Sequence, residues 1–212
     1  MDLNNEKVYA LVDEIIQKLK ERKATAVLRI YGGSAVSYYY HDRSLTKDVD
    51  ALYDSDPAVE EVKQEICQEQ PELDAEWLNE HVFDVMPKFP DDNPTIYYKN
   101  DNITVTVASR EYLLAMKAMV TRKTFVDLTD AAVLFNQLGL HNWMDIDKLV
   151  TKFYGPSQAD SQELWFEDIE DYALKLKKET GSEPDNSEVT LTKDRGSAYS
   201  AVANSTESEE EK

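Results

Sequence analysis

Two carboxylates separated by one residue, Asp48 and Asp50, sit in an otherwise apolar run that continues through Val49, Ala51, Leu52 and Tyr53. In an extended chain, residues i and i+2 project to the same side, so a strand here would aim both carboxylates together. Adjacent carboxylates repel each other unless a proton or a cation lies between them. One or two carboxylates plus substrate phosphates is the ligand set Mg²⁺ takes in phosphoryl-transfer sites. Upstream, an apolar run of Ala26, Val27, Leu28, Ile30 and Tyr31 stops at Gly32-Gly33-Ser34, and the residues that follow lack helix breakers. A strand that turns into a helix at glycines leaves free backbone N–H groups beside a hydroxyl, a corner suited to phosphate.

A third group lies further on. Lys117 stands amid Leu113, Leu114, Met116 and Ala118, followed by Arg122, then Asp127 and Asp130 ahead of an apolar helix. Long charged side chains rarely occupy such positions without a partner, although a lysine can also snorkel to the surface. Arg122 either assists Lys117 or pairs with Asp127. An acid in the first turn of a helix often does no more than offset the helix dipole, which is the reading taken for Asp130.

Gly-Gly-Ser, about a dozen residues and then Asp-hydrophobic-Asp resembles the signature of the polymerase-β-like nucleotidyltransferase superfamily. Together with the lysine, arginine and aspartate of the later helical stretch, the chain looks like the AbiEii-type branch, the toxin half of type IV toxin–antitoxin systems. The resemblance covers roughly residues 25–140. It implies an α/β (α+β) fold: a nucleotidyltransferase core with a small mixed sheet flanked by helices over residues 1–108, then a helical half over 109–180 that completes the cleft. It also implies Mg²⁺-dependent transfer of a nucleoside monophosphate from an NTP to an acceptor, RNA (tRNA) or protein, opposed by an antitoxin encoded nearby. Gly32, Gly33 and Ser34 would hold phosphates, Asp48 and Asp50 the metal. Lys117 and Arg122 would contact the nucleotide, and Asp127 would join the catalytic set.

Many superfamily members carry a third carboxylate on a later strand. The stretch Ile103–Val107 has threonines at its alternating positions instead, which leaves Asp84, in an expected short strand over residues 82–86, as a candidate for that role. The AbiEii-type branch is expected to do without an acid there and to use the helical aspartate. Two other functions stay open on the sequence: a non-catalytic member of the fold that binds a nucleotide or a protein, and a transferase acting on a small cationic molecule such as an aminoglycoside.

The chain has 212 residues and a formal charge of −19. Such acidity lacks the broad positive footprint of nonspecific nucleic-acid binding, so an RNA acceptor would need a restricted basic patch. Arg43, Lys47, Lys117, Arg122 and Lys123 are the local bases available for it. The single cysteine, Cys67, excludes an internal disulfide, and its acidic surroundings give no reason for a lowered pKa. Neither an export signal nor a membrane-length apolar run is visible, so a cytoplasmic protein is expected.

The elements that must carry these groups follow from periodicity. Apolar residues at helical spacing predict helices over residues 5–22, 58–70, 110–118, 127–138, 145–154 and 160–178, with a shorter one over 74–80. Thr95–Lys99 and Ile103–Val107 alternate around Asn100-Asp101-Asn102, a hairpin pattern. The tyrosines at 38, 39 and 40 either line a base pocket or cover the sheet, and packing is the simpler reading. His41 reads as a capping or surface residue. Thr46 is expected to support a neighbouring carboxylate, and the Pro- and Asp-rich residues 87–94 to form a mobile loop. Residues 181–212 hold eight acids against three bases, with few apolar side chains, the composition of a disordered acidic tail.

Overall fold

A computed structural model describes residues 3–40, 45–54, 56–156 and 162–180. The first helix, α1 (Asn5–Glu21), starts where the Asn4 side chain accepts a hydrogen bond from the Lys7 amide, and it buries Val8, Leu11, Val12, Ile15, Ile16 and Leu19 along one stripe. Each such side chain contributes about 1.5–3 kcal/mol by leaving water. The chain then forms β1 (Ala26–Ile30), α2 (Gly32–Tyr39), β2 (Val49–Leu52) and α3 (Pro57–Glu69). Asp56 caps α3 and Pro57 opens it, a position where a missing N–H costs nothing.

With β3 (Leu78–Asn79), β4 (Thr95–Lys99) and β5 (Ile103–Val107), these strands make one five-stranded mixed sheet in the order β3-β2-β1-β5-β4. The strand β1 runs antiparallel to β2 and parallel to β5 (Ile103–Val107), with Ala26 opposite Ile103 and Ile30 opposite Val107. The expected hairpin joins β4 (Thr95–Lys99) to β5, and the Asn100 side chain accepts from the amides of Asn102 and Ile103 to close its turn. Burial alternates along both central strands. Ala26, Leu28, Ile30, Ile103, Val105 and Val107 enter the core, and the residues between them are more exposed.

After β5 the chain is helical: α4 (Arg110–Ala118), α5 (Phe125–Gln137), α6 (Trp143–Tyr154) and α7 (Glu163–Thr180). The contacts run α4 to α5 and α6, and α7 to α5 and α6. Gly139, at φ +63°, ends the α5 turn in the left-handed region. Among the described residues no helix is long and apolar enough to cross a membrane.

The region between α3 and β4 departs from expectation. The anticipated helix over residues 74–80 is a single turn leading into β3 (Leu78–Asn79), which pairs in parallel with β2 through Val49 opposite Leu78. The anticipated strand over residues 82–86 is instead a 3₁₀ turn, His81–Val85, whose start is set by the Asn79 side chain accepting from the His81 amide. Both expectations came from apolar residues in runs too short to carry a period, and for Leu78 and Asn79 pairing with β2 decided the outcome. The loop 87–94 is tied down. The Asp91 carboxylate accepts from the Ser109 amide (2.6 Å) and hydroxyl (2.8 Å), and the Phe89 amide donates to the Phe153 carbonyl. The tail and His41, Asp42 and Arg43 lie outside the described residues.

Candidate functional site

At the end of β1 the chain must reverse into α2 within one residue. Gly32 makes the turn at φ +57°, a backbone conformation that side chains disfavour. There is also no room for one, since a Cβ on Gly32 would come within 2.0 Å of Asp50 Oδ2. The Tyr31 amide donates to the Asp50 carbonyl at 2.8 Å, which holds this corner against β2. The Asp50 carboxylate is thereby placed against the glycine turn.

The second wall comes from the end of α4. Lys117, in its last turn, lies 2.7 Å from Asp127 Oδ1 and 2.9 Å from Asp130 Oδ2, both near the start of α5. Asp127 is the third residue of α5 and closes a capping box with Thr124, whose amide and hydroxyl donate to Asp127 Oδ2 while its hydroxyl oxygen accepts from the Asp127 amide. Burial pushes the Asp127 carboxyl up, but the Lys117 charge and the hydrogen bonds from Lys117 and Thr124 outweigh it and hold the group below the usual aspartate value. The Trp165 indole N–H donates to the Lys117 carbonyl, fixing the helix end from the α7 side.

Between these walls lies a cavity of about 340 Å³. Its polar part is made by Gly32, Asp50, His81, Thr121, Arg122, Lys117 and Asp127; its apolar part by Val82, Val85, Leu113, Met116, Met119, Val120 and Tyr154. A pocket of this size and mixed lining is typical of small-molecule sites. The Tyr154 phenol, pushed up to about 12 by burial, stays protonated and donates to the Val85 carbonyl.

Of the residues expected from sequence, Gly32, Asp50, Lys117, Arg122 and Asp127 meet at this cavity. The others lie elsewhere. Gly33 is half-buried in the first turn of α2. Ser34 is fully buried, and its hydroxyl donates to the Tyr31 carbonyl. Asp48 precedes β2, where its carboxylate accepts from the Asn79 amide group at 3.1 Å. Thr46 reaches the backbone carbonyl of Asp48 rather than a carboxylate. Asp84 is exposed on the 3₁₀ turn and does not line the cavity. Tyr38 packs against Tyr9, Tyr97 and the edge of Tyr39 away from it, and the Tyr39 hydroxyl donates to the Ala108 carbonyl. Cys67 is half-buried beside the Asp74 carbonyl.

Sequence reasoning missed Asp130, His81 and Tyr154. Only Asp130 left a signal: it stands three residues after Asp127, on the same face of α5, where a lysine in an apolar run needs its partner. No protein-family model, curated protein or solved structure matches the chain.

For a metal, the chain offers a pair of carboxylates. Val49 and Ala51 are buried while Asp48, Asp50 and Leu52 are only partly covered, so the two acids share the side of the chain turned away from the core. Among the described residues no group of three or more histidine, cysteine or acidic side chains is placed to hold a metal. A Mg²⁺ expected from the sequence would have to draw on these two acids, with phosphate oxygens and water completing its ligands; of the pair only Asp50 lines the cavity, and the Asp48 carboxylate is bonded to Asn79.

Proposed function

We propose that the cavity is the active site of a Mg²⁺-dependent nucleotidyltransferase that moves a nucleoside monophosphate from an NTP to an acceptor hydroxyl. One observation carries this reading: two short motifs far apart in the chain, Gly32 with Asp50 and Lys117 with Arg122 and Asp127, line the same cavity. The backbone turn at Gly32, where α2 begins, would face the polyphosphate, and Arg122 would supply positive charge on the opposite wall, where Lys117 also lies. The apolar wall of Met116, Met119, Val120 and Tyr154 gives the nucleoside a surface that excludes water.

Asp48 and Asp50 would hold Mg²⁺, which when bound neutralises charge on the transferring phosphoryl group and makes the acceptor hydroxyl more acidic. In the transfer the acceptor oxygen bonds to the α-phosphorus as the bond to the bridging oxygen of the β-phosphate breaks. Pyrophosphate leaves, and the hydroxyl proton passes to solvent. The resemblance to AbiEii-type proteins supports growth arrest or phage defence as the role, with RNA, tRNA or a protein as the acceptor and an antitoxin as the partner.

The internal engagement of two expected site residues favours a second reading, a module that binds nucleotide without transferring it. Lys117 is shared between two carboxylates and Asp48 is bonded to Asn79. Incubation with each α-³²P-labelled NTP, Mg²⁺ and total bacterial RNA or protein separates the two. Label should move to one acceptor class with the wild type and not with Asp48→Ala/Asp50→Ala. Nucleotide binding by calorimetry without transfer to any acceptor would leave the binding module as the function.

A further inference from the structure

The charges on the two sides of the α4–α5 connection are not equivalent. Lys117 is 12% exposed at its side chain and touches two carboxylates, those of Asp127 and Asp130, exposed by 9% and 1%. Two negative groups face one positive group, so the cluster as a whole carries no positive charge to offer a ligand. Both Asp127 oxygens are already engaged, one by Lys117 and the other by Thr124. Turning Lys117 toward a phosphate would strand two buried carboxylates without their counter-charge.

Arg122 is placed otherwise. It lies in the short connection between Met119, the cap of α4, and Thr124, the cap of α5. It lines the cavity, is exposed, and makes no ion pair among the described residues. A guanidinium has five N–H donors in a planar fork that matches phosphate oxygens two at a time. The Lys117 bonds cross this connection from its α4 side to its α5 side, and thus fix the span on which Thr121 and Arg122 face the cavity.

We propose a division of labour in which Arg122 is the cation that grips the ligand's phosphate, and Lys117, with Asp127 and Asp130, is a clamp that positions the loop carrying it. The inference rests on the reading of this cavity as a nucleotide site, and it reassigns the lysine from phosphate contact to positioning residue. It also narrows the ligand class: Arg122 on one wall and Asp50 on the other suit a polyphosphate that arrives with a divalent cation, whose charge Asp50 can face. A bare polyanion would meet Asp50 and the acidic cluster unscreened.

The test is calorimetric titration of the full chain with each NTP and with inorganic tripolyphosphate, in Mg²⁺, alongside a thermal melt of every variant. Arg122→Gln should weaken binding of both probes by about 10- to 100-fold at an unchanged melting temperature, and Arg122→Lys should recover part of the loss. Lys117→Met should lower the melting temperature. Asp130→Asn, which loosens the clamp without touching the ligand, should weaken binding of the intact NTP several-fold while Asp130 stays outside the cavity lining. Wild-type binding that Arg122→Gln leaves untouched would overturn the inference alone. So would Lys117→Met binding lost at an unchanged melting temperature. Failure of the wild type to bind any NTP or tripolyphosphate would overturn the nucleotide reading and the inference with it.

Discussion

The two walls of the cavity are held in place by different physics. On the β2 side, position is a matter of shape: Gly32 has a left-handed backbone and no space for a methyl group, and Asp50 fills the volume a side chain would take. On the α4–α5 side, position is a matter of charge, with Lys117 drawing the first turn of one helix to the last turn of another. A steric constraint is indifferent to pH and salt. A buried ion cluster responds to pH directly, and its cost is large only when one partner is lost.

That contrast can be broken most forcefully at Lys117. Lys117→Met leaves Asp127 and Asp130 buried without a counter-charge and should destabilise the protein by about 3–5 kcal/mol in urea unfolding at neutral pH. Gly32→Ala attacks the other wall, combining a disfavoured backbone with a clash against Asp50, and should cost about 2–4 kcal/mol. A double-mutant cycle with Asp50→Ala sharpens it. The carboxylate is the closest atom group to the new methyl, so removing it should recover about 1 kcal/mol or more, while the backbone component remains.

The smallest effect distinguishes the walls by pH. Asp127 titrates below its usual value of 3.8, so its contribution is fully present above that pH and is lost as pH falls through the lowered value. Without Lys117 the same burial is opposed only by the hydrogen bonds from Thr124, and the carboxyl moves up. The stability deficit of Lys117→Met should therefore narrow as pH is lowered from 7 toward 4, whereas the deficit of Gly32→Ala should stay flat. Urea midpoints at several pH values would read both curves, and parallel curves would show that charge does not hold the second wall.

Much of this was legible before any coordinates. Helices such as α1, α5 and α6 announce themselves through long apolar stripes, and β5 through strict alternation. The glycine turn and the Asp48–Asp50 pair were visible as types and spacing, as was an anomalous lysine. What was not visible depended on long-range pairing. Leu78 and Asn79 become a strand only because β2 leaves an edge for them, and no local pattern in two residues can say so. Asp130 looked like ordinary dipole compensation because its partner lies on another helix. The Ser34 hydroxyl was expected to face a phosphate, but a serine in the first turn of a helix can bond back to the carbonyl three residues earlier, and here it does. The loop 87–94 looked free in sequence, and Asp91 ties it to the start of α4.

The parallel pairing of β1 with β5 has a further consequence, in time rather than space. Ala26 meets Ile103 and Ile30 meets Val107, so the centre of the sheet closes a loop of about seventy residues, an entropic cost met before any of its contacts form. At synthesis rates of about 5–20 residues per second, roughly 4–15 s separate the synthesis of β1 from that of its parallel neighbour. During that interval β2, its antiparallel neighbour, is the only described strand available to cover one of its edges. The β4–β5 hairpin, a local structure, is then expected to dock along the other edge as one unit.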